Sequence, residues 1–255
     1  MRYELLGPIR MVDDGTVYTV SARKVEVLLA VLLVRAGQVV GLEQLMAEIW
    51  GEDLPRRATA GLHVYVSQLR KFLARPEQAD SPIVTTHAGY MFQLGSDVLD
   101  VHEFQRIVAD GRRSRREGLL EQAFMQFEKA IGMWRGPALG DQRNGPALTA
   151  FAGWAELAKM ECAEQLVDCA LELGRHREYV GYLYTMTSEH PFREVFYQQL
   201  MLALYRSGCR AEALQVYQSA RTVLDSEFGL EPCRNLRDLQ RAILLGDPQL
   251  EAAVA

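Results

Sequence analysis

The sequence predicts an α+β N-terminal winged helix-turn-helix followed by an all-α tetratricopeptide-like helical repeat domain. Three observations predict it. Residues 3–94 read as short strands, then three helices, then a hairpin. The third of those helices is basic and free of acids. Beyond residue 98 every stretch has helical period, punctuated by Gly or Pro, with one spacing that recurs.

The chain has 255 residues, enough for one large domain or two ordinary ones. At 49% hydrophobic and 24% charged it has the balance of a soluble globular protein with real cores. No uninterrupted apolar run approaches the roughly 20 residues of a membrane span, so no membrane partner is expected. The start, MRYELLGPIR, has no signal-peptide apolar region, which predicts a cytoplasmic protein. Cys162, Cys169, Cys209 and Cys233 form no CxxC pair, and no His sits at metal-ligand spacing. They read as buried, reduced thiols. No metal and no cofactor are expected.

In order, Tyr3–Val12 and Val17–Val20 read as strands around an Asp13-Asp14-Gly15 turn. Ser21 is the expected N-cap of a helix from about 22 to 35, whose apolar face is Val25, Leu28, Leu29, Leu32 and Leu33, and Gly37 ends it. Val39-Val40 is a brief extended link. Leu42–Trp50 is a second helix with Leu45, Met46 and Ile49 inward, ended by Gly51. After a loop comes the basic helix, Arg56–Arg75. Ile83–Thr86 and Tyr90–Leu94 then form a hairpin around His87-Ala88-Gly89. Trp50 and Tyr90 each close a packed element and read as core anchors.

On the basic helix, Leu62, Val66, Leu69 and Leu73 follow an i, i+4, i+7, i+11 series and form one apolar stripe. Arg57, Ala60, Val64, Ser67, Gln68 and Lys71 lie opposite, and Arg56, His63 and Arg70 flank them. From Pro55 to Pro76 there is no acid, in a chain of net charge −5. Such a face is a local electrostatic footprint suited to a DNA major groove; its bland reading is a solvated surface helix. The second and third helices form a helix-turn-helix, and the hairpin behind them is placed as a wing.

The string VVGLEQLMAEIWG…VYVSQLRKFL…IVTTHAGYMFQL resembles the winged-helix effector domain of the OmpR/PhoB type, through Val39-Val40, Leu45, Trp50-Gly51, Leu69-Arg70, Leu73 and Gly89-Tyr90. The four-stranded N-terminal sheet of that family would fit residues 3–20. The sequence departs from the family at Ser67-Gln68 and Thr86-His87, where arginines are often found, which implies a different base preference. The sequence leaves no room upstream for a phospho-acceptor receiver, so control by aspartate phosphorylation within this chain is not expected.

Gly95-Ser96-Asp97 breaks the pattern, and the expected domains are 1–97 and 98–255, with a new helix starting at Asp100–His102. Gly118, Ala123, Phe127 and Ala130 recur as Gly208, Ala213, Tyr217 and Ala220. A weaker copy begins at Gly174, with Tyr179, Leu183 and Met186. Gly174 and Gly208 lie 34 residues apart, the tetratricopeptide period. Small residues there let helices approach and the aromatic fills the gap beside them. There is no HExxH, no GxSxG and no phosphate loop, and the Gly136–Pro146 loop carries no Gly-Lys-Ser/Thr. No enzyme is expected. The basic run Arg112–Arg116 reads either as a solvated helix end or as a contact for DNA backbone or an acidic partner.

The C-terminal part, from Ser188 to Leu244, resembles the bacterial transcriptional activation domain. It carries His190-Pro191, Arg193-Glu194, Leu200-Met201, Ala203-Leu204-Tyr205, Gly208, Ala213-Leu214, Tyr217, Glu227, Gly229, Pro232, Leu236 and Leu239. A winged helix followed by this domain is the layout of the SARP family, the Streptomyces antibiotic regulatory proteins. The resemblance implies an activator of a secondary-metabolite gene cluster, associated with the nucleoid. It also implies double-stranded DNA bearing tandem direct repeats as partner, a second copy side by side on it, and recruitment of RNA polymerase through sigma factor and core subunits. The other reading is a helical-repeat module that senses a ligand or a protein and touches DNA secondarily.

The expected DNA-binding residues follow. Arg56 and Arg57 clamp phosphates near the helix start, and Thr59 caps or bonds phosphate. His63, Val64, Ser67, Gln68 and Lys71 face the groove, with Val64 suited to a thymine methyl. Arg70 lies at the flank, suited to a backbone phosphate or to a partner within the domain. Thr86 and His87 stand in the wing.

Overall fold

A computed structural model describes residues 1–75, 81–142 and 145–251. Pro76, which closes the acid-free interval, part of the Gly136–Pro146 loop, and the last residues of the expected second domain lie outside them. The chain divides into two compact units. One comprises Met1–Val108 with Lys129–Met160, the other Ala109–Glu128 with the chain from Glu161 onward.

The strands of the first unit are β1 (Arg2–Glu4), β2 (Arg10–Asp13), β3 (Thr16–Tyr18), β4 (Val39–Gly41), β5 (Ile83–Thr85), β6 (Gly89–Phe92) and β7 (Val98–Leu99). Its winged-helix helices are α1 (Arg23–Val34), α2 (Leu42–Trp50) and α3 (Ala58–Phe72). The stretch expected as one strand, Tyr3–Val12, is two antiparallel strands, with Tyr3 opposite Met11. Gly7-Pro8 interrupts it, because proline has no N–H to give a ladder. The first sheet has the order β3-β2-β1-β7. Its fourth strand therefore comes from beyond the hairpin and runs parallel to β1, not from residues 3–20. A two-residue strand has no periodicity to read; β7 exists because the edge of β1 is there to pair with. The link at Val39-Val40 also enters a sheet, β4-β6-β5, with Val40 opposite Tyr90.

All five apolar positions expected on α1 are buried. Ser21 does not cap it: the N-cap is Ala22, with no side-chain cap bond. Tyr3 and Phe92, both fully buried, meet edge to face with centroids 5.2 Å apart.

Further helices span both units or lie in the second: α4 (Asp100–Arg116), α5 (Leu120–Gly132), α6 (Pro146–Glu172), α7 (His176–Glu189), α8 (Glu194–Arg206) and α9 (Arg210–Phe228). They are followed by α10 (Arg234–Leu245). Within the first unit two buried carboxylates hold backbone amides. Asp100, at the start of α4, accepts from the N–H groups of Leu5 and Leu6 at 2.9–3.0 Å. Burial pushes its pKa up despite those two donors. Glu48, buried on α2, accepts from the N–H groups of Ala147 at 2.6 Å and Leu148 at 3.4 Å. These are orphan donors at the start of α6, where the helix dipole also favours a carboxylate. A Cβ on Gly145 would lie 2.1 Å from Glu48 Oε2, so the approach needs glycine there. We expect Glu48→Ala to cost about 2–3 kcal/mol, because the amides are left buried and unpaired. Glu48→Gln keeps one acceptor and should lose less, and denaturant unfolding of the two variants checks this.

At the end of α3, Arg75 donates to Asp97 through both Nη atoms, one at 3.0 Å. The N-terminal amine also donates to Asp97, at 3.0 Å. Burial opposes the charged form of Asp97, but these hydrogen bonds outweigh it and hold its pKa below the usual range. Glu4 is lowered likewise, with Arg10 and Arg2 overcoming burial. Glu103 is lowered chiefly by the hydrogen bond from Arg2. Carboxylates with lowered folded pKa values add stability that is complete above their unfolded values and is lost as pH falls through the folded ones. Asp100 and Glu26, both raised chiefly by burial, work in the opposite sense against three lowered groups. The melting temperature should therefore fall steeply below about pH 4. Asp97→Asn should lower it at neutral pH and make the acid fall shallower.

In the second unit the repeat positions behave as expected. Ala123 and Phe127 of one copy and Ala213, Tyr217 and Ala220 of the other are buried, as are Leu183 and Met186 of the weaker copy. The basic run is a solvated helix end, with Arg112, Arg113 and Arg116 exposed, but three of its cations are paired. Arg112 pairs with Glu161 at 3.0 Å, Arg113 with Asp110 at 2.7 Å, and Arg115 with Asp168 and Glu172, while Ser114 is buried and donates to Gln126. Two of the four thiols are buried as expected: burial pushes Cys162 up to about 12 and Cys169 up to about 11. Cys209 is half-buried and Cys233 is exposed, because Cys233 stands in the N-cap position of α10 rather than on an inward face.

Candidate nucleic-acid interface

The expected stripe of α3 is its buried side. Leu62, Val66 and Leu69 are buried, and so is Leu73 just past its end. That burial turns Thr59, Ala60, His63, Val64, Ser67, Gln68 and Lys71 outward, and all are exposed. Arg56 and Arg57, also exposed, stand just before the first turn. Arg56, Arg57 and Lys71 have no ion pair among the described residues. Arg57 is the N-cap residue and no side chain caps the helix, so Thr59 does not cap it; its hydroxyl faces Met46 Sδ at 3.8 Å.

The helix keeps its angle through aromatic contacts. Trp50, closing α2, stacks on Tyr65 at 5.7 Å, and Lys24 Nζ lies 5.4 Å from the Trp50 ring centroid. A Cβ on Gly61 would come within 3.3 Å of that ring. Trp50 and Tyr90 are thus packing groups, as read from sequence.

The hairpin stands beside α3. Arg70 donates to the Ile83 carbonyl at 2.8 and 3.2 Å and to Thr85 Oγ1 at 2.7 Å. Its guanidinium also lies 5.8 Å from the Tyr90 ring centroid. Arg70 therefore ties the helix to the hairpin, and the signal that finds this is its half-turn position between stripe and face. Gly89 is the last residue of the turn, as expected, and also opens β6 opposite Gly41. A Cβ there would sit 2.0 Å from the Val40 carbonyl oxygen. The turn runs from Thr86 to Gly89. It is closed by Thr86 N–H to Gly89 O at 2.9 Å, and the Thr86 hydroxyl both donates to Gly89 O and accepts from its N–H. His87 and Ala88 are exposed at the tip.

A basic-ended helix held by its apolar side next to a strand hairpin is the geometry of a winged-helix transcriptional regulator. The comparisons with known proteins agree. Residues 16–92 match the family described as transcriptional regulatory protein, C terminal, and residues 99–244 match the bacterial transcriptional activator domain. The chain is 32% identical to the regulatory protein DnrI of Streptomyces peucetius, over 98% of this chain and 94% of that one. It is 34% identical to the regulatory protein AfsR of Streptomyces coelicolor, over its whole length but only 26% of AfsR. The structure of Mycobacterium tuberculosis EmbR in complex with a low-affinity phosphopeptide superposes with a TM-score of 0.90 at 29% identity, covering 98% of this chain and 68% of EmbR. The chain belongs to the SARP family of transcriptional regulators. It combines an OmpR-type DNA-binding domain with a bacterial transcriptional activator domain. Among the described residues no helix is long and apolar enough to cross a membrane.

Proposed function

We propose that the protein is a cytoplasmic, nucleoid-associated, non-enzymatic activator of a secondary-metabolite (antibiotic) biosynthetic gene cluster. It binds tandem direct repeats upstream of promoters as side-by-side copies and recruits RNA polymerase through sigma factor and core subunits. The observation that supports this best is the exposed face of α3, with three cations at its ends and the hairpin tip beside it. In this reading residues 1–97 bind DNA and 98–255 serve activation.

Arg56 and Arg57 bond phosphates at the helix start, with Thr59 nearby. His63, Val64, Ser67, Gln68 and Lys71 face base edges in the major groove, Val64 suiting a thymine methyl. Arg70 spends Nε and Nη2 on the hairpin and has Nη1 left for a backbone phosphate. In the wing, His87 approaches the adjacent groove, while the Thr86 hydroxyl sets the turn that presents it. Copies on direct repeats make a heterologous, head-to-tail contact rather than a two-fold one.

Footprinting on promoters near the protein's own gene, with and without RNA polymerase, tests this. The expected footprint covers direct repeats about one helical turn apart beside the −35 region and tightens with polymerase. His63→Ala and Lys71→Ala should each lose sequence preference, by about 1–3 kcal/mol for a base contact. Variants that bind like the parent, or a parent without preference at physiological salt, would assign recognition to another surface.

A further inference from the structure

In the second unit the turn between α7 and α8 meets the end of α9 in an apolar patch that covers no core. Phe192 and Phe228 are 50% and 56% exposed, and Val195 and Leu230 are 38% and 56% exposed. The two phenylalanine rings touch each other edge to face, with centroids 4.9 Å apart. Val195 lies in the first turn of α8, three residues after Phe192, and Leu230 lies two residues beyond Phe228. A cavity of about 440 Å³ opens beside Phe192, walled by Glu189, His190, Pro191, Phe192 and Arg193. Solvent-exposed large apolar side chains are common singly. A contiguous aromatic pair beside a concavity is the pattern of a binding hot spot.

Beside His190 and the paired Arg193, the charge left around the patch is acidic. Glu189 stands in the cavity wall, and Asp225 and Glu227 are exposed just before Phe228. The nearby cations are neutralised locally: Arg193 is bound by Glu164, and Arg221 by Glu231 at 2.8 Å. An acidic rim repels nucleic acid and an anionic lipid surface, and it attracts a partner carrying Lys or Arg beside apolar groups. A helix with leucines on one face and basic residues along its flanks offers both.

We propose that this patch is a docking surface for a basic amphipathic helix of a partner protein, with Phe192 and Phe228 as its anchors. Docking here needs no DNA contact, so its failure and the failure of the DNA-binding reading are separable.

The test uses the full chain without DNA and a fluorescein-labelled Leu/Lys amphipathic helical peptide, read by fluorescence anisotropy. The expected result is saturable binding, weakened at least about tenfold by Phe192→Ala with Phe228→Ala. Both rings are half-exposed, so the double variant should keep its melting temperature. A second variant, Glu189→Gln with Glu227→Gln, leaves the rings in place and should also weaken binding, with a smaller salt dependence. Arg237→Ala with Arg241→Ala, on the basic face of α10, should leave binding unchanged. No saturable binding, or equal affinity for the parent and the phenylalanine double variant, would overturn the proposal. So would a peptide that binds only through net charge, with all variants alike.

Discussion

Gly89→Ala is expected to destabilise the first unit by about 3–5 kcal/mol, which is roughly 10 °C in melting temperature. The new methyl would sit 2.0 Å from the Val40 carbonyl oxygen and 2.9 Å from its carbon. Both are backbone atoms of β4, which cannot swing away as a side chain can. The φ of +158° is one that residues with a Cβ rarely adopt. Relief requires β4 and β6 to separate, and β6 carries the buried Tyr90 and Phe92 and forms one arm of the wing. Gly41→Ala is the matched control. Gly41 pairs with Gly89 across the same ladder, yet its nearest neighbour would be 3.8 Å away. It should melt within a few degrees of the parent. Similar losses in both variants would show that the ladder, not the close approach, sets the effect.

Arg56→Ala with Arg57→Ala should weaken DNA binding about 10- to 100-fold at physiological salt and do so almost equally for every sequence. Removing two phosphate contacts should flatten the slope of log affinity against log salt by about 1.8. Substitutions at Ser67 or Lys71 should act in the reverse manner, changing preference among operators more than the salt slope. Arg70→Ala should combine both effects with a loss of stability, because it also releases Ile83 and Thr85 from α3. Titrations at several salt concentrations, on an operator and on unrelated duplex, separate these outcomes. A double variant with an unchanged slope would remove Arg56 and Arg57 from the interface.

Much of the fold was legible because one physical rule governs each legible part. The inward stripe of α3 follows from helical period, which decides which side chains share a face, and the end of α2 follows from Gly51. The repeat at Gly118 and Gly208 was legible because close-packed helices need small residues at fixed spacing. The exposed face from His63 to Lys71 follows from the same stripe by subtraction.

What the sequence by itself determined is thus the succession of strands, three helices and hairpin, the buried sides of α1 and α3, and the basic, acid-free character of α3. What only the tertiary structure decided is the set of partners distant in the chain. The edge of β1 makes a strand of Val98–Leu99, and Asp100 reaches back to Leu5 and Leu6. Glu48 closes the start of α6, and Arg70 spends Nε and Nη2 on the hairpin. Periodicity reports which way a side chain points along its own element. It carries no information about which carbonyl, amide or charge the fold will bring in front of it.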